Sequence, residues 1–310
     1  MTVLVTGATG FVGAAACRTL KAAGLEPVAA LRSARPGLEG RVVGEIGPDT
    51  AWDTALDGID VVLHLAARAH VMNETEGDPL ALFRRINRDG ALALAEAAAA
   101  KGVRRLVFVS TIKVNGEATP ADRPFRAEDA PAPIDAYGIA KAEAEAGLRA
   151  IAARTGLELV VIRPPLVHGP GVKGNFSSLI KVLRRGIPLP LGAITANRRS
   201  LIGLDNLCDA LNLCLTHPQA PGRTFLVKDG DDVSTTGLIR LLAQGLGRPA
   251  RLLPVPVALL RLAGRLTGKN AAVERLTGSL VVDDGPLRAL GWTPSVTLED
   301  GLRRMAGPPA

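Results

Sequence analysis

The stretch DAYGIAKAEAE, residues 135–145, holds the only tyrosine of the chain, Tyr137, four positions ahead of Lys141. On a helix, residues four apart share a face, so this spacing sets a phenol beside an ammonium. A free phenol has a pKa of about 10 and is a poor base at neutral pH. Bringing it near 7 takes about 4 kcal/mol of preference for phenolate, which an ammonium and a second nearby cation can supply. The pair therefore suits proton exchange with a substrate hydroxyl. A lone YxxxK spacing also arises by chance, so its weight depends on what stands upstream.

Upstream, VLVTGATGFVG runs a strand pattern into Gly7, Gly10 and Gly13, and Phe11 and Val12 open a helical pattern. Gly7 allows a tight turn, Gly10 lets backbone approach a phosphate, and Gly13 lets helix and strand pack closely. A pyrophosphate would then sit at the positive end of the helix. After the first strand of a parallel sheet, such a loop reads as a dinucleotide site. The second strand ends in AALRS. A carboxylate there would bind the adenine ribose hydroxyls and favour NAD, but this chain carries Arg32. A guanidinium suits a 2′-phosphate, and Arg35 can join it. NADP(H) is therefore the favoured cofactor, with NAD(H) possible; the plainer reading of Arg32 is a solvated arginine at a strand end.

These groups need a frame. Strand candidates are TVLVTG, EPVAALR, DVVLHLA, RLVFVS and LELVVIRP, alternating with helical patterns such as FVGAAACRTLKAAG and RINRDGALALAEAAAAKG. Apolar strands separated by helices signify a parallel sheet covered on both faces. The expected fold class is α/β, a Rossmann-type doubly wound sheet with its ligand crevice at the carboxyl ends of the strands. After Arg163 the chain becomes rich in Pro and Gly before RTFLVKD returns to the sheet. The expected division is a dinucleotide-binding domain over 1–164, with a returning segment near 200–230, and a smaller interleaved substrate lobe over 165–310.

At 310 residues, 47% hydrophobic and 22% charged, the chain has material for a sizeable core. Aromatics make up only 3%, so Ala, Leu and Val must fill that core. No apolar run reaches the roughly 18 residues of a membrane span. MTVLVTGATG enters a strand directly, without a signal-peptide pattern, and the expected location is cytoplasmic. Cys17, Cys208 and Cys214 show no metal-ligand grouping and read as small buried side chains; no metal is expected. The net charge of +7 admits nucleic-acid binding or a basic cleft for a phosphorylated small ligand. Scattered basic residues without interleaved aromatics favour the second. LPVPVALLRLAGRLTG can be read as an amphipathic membrane-surface helix or, as its prolines favour, a helix packed into the second lobe.

The pieces TGATGFVG, HLAA, FVSTIKVNG, YGIAK, IRPPLVHGPG, RRSLIGLDNLCDA and LGWTP resemble the extended short-chain dehydrogenase/reductase family, in its branch of nucleotide-sugar epimerases, dehydratases and reductases. The resemblance covers nearly the whole chain. It implies that Tyr137 is the general acid/base at the substrate hydroxyl, while Lys141 contacts the nicotinamide ribose and lowers the tyrosine pKa. It also implies a hydroxyl after the RLVFVS strand that orients the same oxygen, at Thr111 or, as the alternative, Ser110. The 4,6-dehydratases carry Asp-Glu directly after that Thr; Ile112 and Lys113 stand here, which excludes dehydration. Lys113 itself either contacts the substrate's sugar or phosphates or points to solvent.

The same resemblance places Leu65, Ala66 and Ala67 along the cofactor, with His64 a strand residue, and Asn87 behind the active site. Pro164 and Val167 pass near the nicotinamide. Asn175 and Phe176 fall where the family binds the nucleotide diphosphate, Leu189 and Leu191 wall a flat base, usually uracil, and Arg199 binds the diphosphate. Arg275 is either a second clamp on it or a surface residue. The implied activity is hydride transfer at carbon 4 of a UDP-sugar. Arg32, Lys113 and the stretch STIKVNGE, similar to UDP-N-acetylquinovosamine-type reductases, lean it towards a 4-ketoreductase of a UDP-4-keto-6-deoxy-N-acetylhexosamine. The alternative is a UDP-glucose or UDP-N-acetylglucosamine 4-epimerase, and a steroid- or flavonol-type oxidoreductase is a further one. A homodimer through the helices bearing Tyr137 and ALALAEAAAA is the expected assembly.

Overall fold

Alternation along each strand builds two cores. In β1 (Thr2–Thr6), Val3 and Val5 point to one face of the sheet and Leu4 to the other. The same split recurs in β4 (Val61–His64), β5 (Arg105–Val109) and β6 (Glu158–Arg163), as the two-residue period of a strand requires. Helix α1 (Phe11–Ala22) covers the first face. Strands β2 (Glu26–Leu31) and β3 (Gly40–Val42) extend one edge. A short helix α2 (Pro79–Phe83) leads through a π-helical turn, Arg84–Asp89, into α3 (Gly90–Ala100), which covers the second face together with α4 (Ala136–Thr155). The computed structural model describes residues 1–35, 37, 39–69, 78–120 and 123–307.

Beyond β6 come β7 (Leu166–His168), α5 (Asn175–Arg184), β8 (Leu201–Gly203), α6 (Leu204–Thr216) and β9 (Thr224–Leu226). The chain ends in α7 (Thr235–Gly245), α8 (Val257–Leu266), α9 (Asn270–Thr277), α10 (Gly285–Arg288) and α11 (Leu298–Ala306). The main sheet has the order β3-β2-β1-β4-β5-β6-β9, with every neighbouring pair parallel. This is the doubly wound arrangement that the sequence predicts. Strand β3 and the two-stranded β7–β8 sheet are short additions. Residues 201–227 supply α6, packed on α1, and the edge strand β9, so they belong to the first core. A separate core joins α5, α7 and α11.

One charged residue at the base of the sheet is buried for structural reasons. Arg105 opens β5 almost fully buried, and its Nη1 donates to the carbonyls of Cys214, Leu215 and His217 at 2.9–3.0 Å. It thereby satisfies the last carbonyls of α6, where a cation is favoured by the helix dipole. Its Nε is 2.7 Å from Glu158. Cys208 and Cys214 are buried, which pushes both thiols up to about 12 and leaves them inert.

The α8 segment differs from the expected lobe-packing helix. It buries only Gly264, where a side chain would lie 2.8 Å from Val273 on α9. Leu259, Leu262 and Leu266, which share one face, are 53–80% exposed. The prolines at 254 and 256 set α8 off from the extended segment before it, and its partner is α9 alone among the closely packed elements. Among the described residues, no helix is long and apolar enough to cross a membrane.

Candidate functional site

The glycine loop is shaped by contacts that no side chain could share. Gly7 adopts φ +68°, and a Cβ there would lie 2.9 Å from the Ala66 nitrogen. At Gly13 a Cβ would fall 2.1 Å from the Gly7 oxygen, so only glycine lets α1 rest on the turn. Gly10 donates its N–H to the Gly7 oxygen at 2.9 Å and starts α1 without a side-chain cap. The first-turn N–H groups of α1 are left to an anion, and the loop fits a dinucleotide pyrophosphate. Phe11 and Val12 pack on the core beneath.

Thr6, which the sequence reading missed, ties this loop to the next strand. Its Oγ accepts from the N–H groups of Leu65 and Ala66, each at 3.1 Å, and lies 2.8 Å from His64 Nδ1. Burial, with the nearby charge of Lys141, pulls His64 down to about 3, so it is a neutral strand residue. Leu65, Ala66 and Ala67 thus run directly past Gly7. Asn87 lies in the π-helical turn and reaches back to the same segment: its Oδ1 accepts from Arg68 N–H at 2.8 Å and its Nδ2 donates to the Arg68 oxygen. A π-turn widens a helix by one residue and frees backbone groups, a common feature of functional sites.

Tyr137 and Lys141 sit on α4, one turn apart as their spacing predicts. Asp135 starts the helix, its Oδ1 accepting from Gly138 N–H at 2.7 Å, and Gly156 ends it at φ +78°. Gly138 brings α4 close to the turn after β5: a Cβ there would be 3.1 Å from the Lys113 oxygen. Thr111 caps that turn and is buried; its backbone neighbours Ser110 and Ile112 donate to the Ile162 and Pro164 carbonyls. Lys141 Nζ donates to the Val109 oxygen at 2.6 Å, two residues before Thr111. The three residues of the expected catalytic set therefore stand on two elements clamped together.

The protein's own groups do not by themselves favour the phenolate. Burial and the Asp135 charge push the Tyr137 phenol up to about 12. Burial pulls Lys141 down to about 7, against the opposing pull of Glu145. Lys141 spends its hydrogen bond on a neutral carbonyl and stands 4.0 Å from the centre of the Phe108 ring. The phenol of Tyr137 is thus held protonated, and Phe83 meets its ring edge-on with centroids 6.1 Å apart. Behind α4, buried Glu145 binds Arg163 at 2.6 and 2.9 Å, and Arg163 also donates to Asn115 Oδ1 at 2.9 Å. This network fixes α4 against β6 and was not read from the sequence, because its partners are 18 and 48 residues apart.

Two substrate-side positions and one cofactor-side position have surroundings that the sequence did not suggest. Lys113 is partly exposed, and its ammonium pairs closely with Asp135 and lies 3.4 Å from Glu117. Phe176 is 4% exposed and packs in the second core, its ring edge-on to His168, because it shares an apolar helix face with Ile180 and Leu183. Asn175 beside it is exposed at the start of α5. Arg32 lies just past β2, is 78% exposed, and its guanidinium is 3.6 Å from Glu45.

The other positions fall as follows. Pro164 follows β6, and Val167 lies half-buried in β7. Leu189 and Leu191 are half-buried against the second core, and Leu189 pairs by backbone with the segment around Leu252. Arg199 donates to the backbone oxygens of Arg275 and Gly278 at 2.9 and 3.2 Å. Burial lowers its pKa, against the pull of Glu117. Arg199 and Arg275 do meet, but through the Arg275 main chain; the Arg275 guanidinium bonds Ala271 within α9.

Comparison with known proteins agrees with this frame. Residues 3–227 match the model of the family described as "NAD dependent epimerase/dehydratase family". The chain is 46% identical over 308 residues to a Vibrio cholerae protein named UDP-glucose 4-epimerase, covering 98% of this chain and 94% of that one. The solved UDP-N-acetylglucosamine 4-epimerase from Bacillus cereus superposes with a TM-score of 0.79 at 18% identity, covering 99% of this chain and 98% of its own. The Thermus thermophilus UDP-glucose 4-epimerase complex with NAD gives 0.76 at 24% identity over 99% and 98% of the two chains. With the glycine loop, the doubly wound sheet and the Tyr137–Lys141 helix in place, the chain belongs to the NAD-dependent epimerase/dehydratase family.

Proposed function

We propose that this protein is a UDP-sugar 4-epimerase that retains NAD and inverts the configuration at carbon 4. The observation that carries the reading is the 46% identity, over almost the full length of both chains, to the Vibrio cholerae UDP-glucose 4-epimerase. It favours the epimerase over the 4-ketoreductase, which Arg32, Lys113 and the stretch STIKVNGE had suggested. That arginine is largely solvated and already faces a carboxylate, so a 2′-phosphate would have to compete with Glu45.

NAD, held by the glycine loop, would supply a reversible hydride acceptor for carbon 4 of the sugar. The residues of this chain manage the proton and the geometry. Tyr137 takes the proton of the 4-hydroxyl and gives it back to the 4-keto oxygen. As an acid it is ready, because burial and Asp135 keep the phenol protonated at neutral pH. As a base it needs added positive charge, and Lys141 on the same helix face is the group placed to contribute. Thr111 orients the oxygen, Arg199 holds the diphosphate, and Leu189 and Leu191 flank the base. The glycine loop, with Leu65, Ala66, Ala67, Pro164 and Val167, seats the dinucleotide. Asn175 lies at the sugar-diphosphate side. A homodimer through α3 and α4 belongs to the same reading.

The test is to denature freshly purified protein, identify any nucleotide released, and assay UDP-glucose and UDP-N-acetylglucosamine for interconversion with their C4 epimers. Stoichiometric NAD with epimer formation supports the proposal. Protein free of nucleotide that binds NADPH more tightly than NADH and reduces a 4-keto sugar would replace it with the ketoreductase.

A further inference from the structure

Lys113 joins the two elements that carry Thr111 and Tyr137. Its backbone N–H donates to Thr111 Oγ at 3.3 Å. Its side chain crosses to Asp135, whose Oδ2 it binds in a short ion pair. The other oxygen of Asp135 caps α4 by accepting from Gly138 N–H at 2.7 Å. One carboxylate therefore holds the start of the tyrosine helix with one oxygen and Lys113 with the other. Both side chains are 37% exposed, so the pair is partly shielded from water.

We propose that Lys113 is a positioning residue: through Asp135 it sets α4 against the Thr111 turn and balances the carboxylate that acts on the Tyr137 phenol. The proposal rests on the acid/base reading of Tyr137 given above. Among the described residues, the other charged groups near Tyr137 have partners, Arg85 of the π-turn lying 3.9 Å from Asp49. Lys141, on the same helix, bonds the Val109 carbonyl. Arg84 and Arg88, beside Phe83, both bind Glu143, and Arg88 also binds Asp89. Glu117 lies on the far side of Lys113 at 3.4 Å. Removing the Lys113 ammonium leaves Asp135 unbalanced and disfavours phenolate. Removing the Asp135 charge leaves Lys113 unbalanced and favours it.

Because Tyr137 is the only tyrosine, the phenolate absorbance of the full chain titrates that residue alone, with or without activity. Asp135→Asn keeps an oxygen for the helix cap and is expected to lower the titration by about one pH unit. In turnover, Lys113→Gln is expected to lower kcat about tenfold or more with KM for the UDP-sugar nearly unchanged, and Lys113→Arg to restore most of it.

If Asp135→Asn leaves the phenolate onset where the wild type has it, up to the pH at which circular dichroism shows unfolding, the proposal is overturned. A rise in KM with kcat unchanged in Lys113→Gln would also overturn it, since that marks a substrate contact. Turnover that survives Tyr137→Phe would remove the acid/base reading on which the proposal rests. The titration would still report whether Asp135 acts on the phenol.

Discussion

Lys141 Nζ lies 2.6 Å from the carbonyl oxygen of Val109 and 4.0 Å from the centre of the Phe108 ring, 1% exposed. Burial pulls its pKa down to about 7 from an unfolded value near 10.5, so charging it costs the folded state. The sign follows from proton counts. Between those two pH values the unfolded chain binds more protons, and stability rises with pH; below about 7 the full cost applies. That cost is roughly 5 kcal/mol as an upper bound. Lys141→Met is therefore expected to raise the melting temperature by several degrees at about pH 6, and by much less at about pH 10, while removing turnover. Thermal melts at the two pH values check it; an equal shift at both would show that the ammonium is not the source.

Tyr137→Phe removes the proton carrier and keeps the ring that meets Phe83 edge-on. Positioned acid/base groups contribute about 10² to 10⁴ in rate. The variant is expected to lose turnover by about that factor, with nucleotide content after purification unchanged. Steady-state kinetics beside a nucleotide assay on the denatured protein separates loss of chemistry from loss of binding.

Much of the frame was legible because it is local. The main-sheet strands carry continuous apolar runs, and β1, α1 and the loop between them are read from eleven consecutive residues whose glycines have steric causes. The helix start at Asp135 was not read, although Asp before a helical run is a capping signal. Phe176 was misassigned even though its own helix carried the correction: positions 176, 180 and 183 are apolar at helical spacing, so the side chain points inward. The Lys113–Asp135 and Glu145–Arg163 pairs were not legible. Each joins elements that only the folded sheet brings together, and charge patterns at separations of 18 to 22 residues have no period to betray them.

Gly13 tests the loop on steric grounds alone. A Cβ there would meet the Gly7 oxygen at 2.1 Å and the Gly7 carbon at 2.7 Å, both backbone, so nothing flexible can yield. Gly13→Ala is expected to abolish nucleotide binding and lower stability. Gly24→Ala is the matched control: φ is +76° but nothing lies within 4 Å, so the cost is about 1 kcal/mol of backbone strain with binding intact. Nucleotide released on denaturing the two purified variants decides it; wild-type nucleotide content in Gly13→Ala would mean that the loop does not hold the dinucleotide.

The sequence assigns the diphosphate to Arg199 and leaves Arg275 as either a second clamp or a surface residue; the two arginines have different surroundings in the structure. Arg199 is largely enclosed and braced by the carbonyls of Arg275 and Gly278, which fixes where its remaining donors point. Arg275 presents its carbonyl to Arg199 and its guanidinium to its own helix. Charge-assisted bonds from a pre-positioned guanidinium to a diphosphate are worth about 1.5 to 3 kcal/mol. Arg199→Ala is expected to weaken UDP binding about tenfold to a hundredfold. Arg275→Ala keeps its backbone oxygen and is expected to change UDP affinity by no more than about threefold. Equal losses in the two variants, measured by UDP titration, would restore the two-arginine clamp. No loss in either would move the diphosphate away from Arg199 altogether.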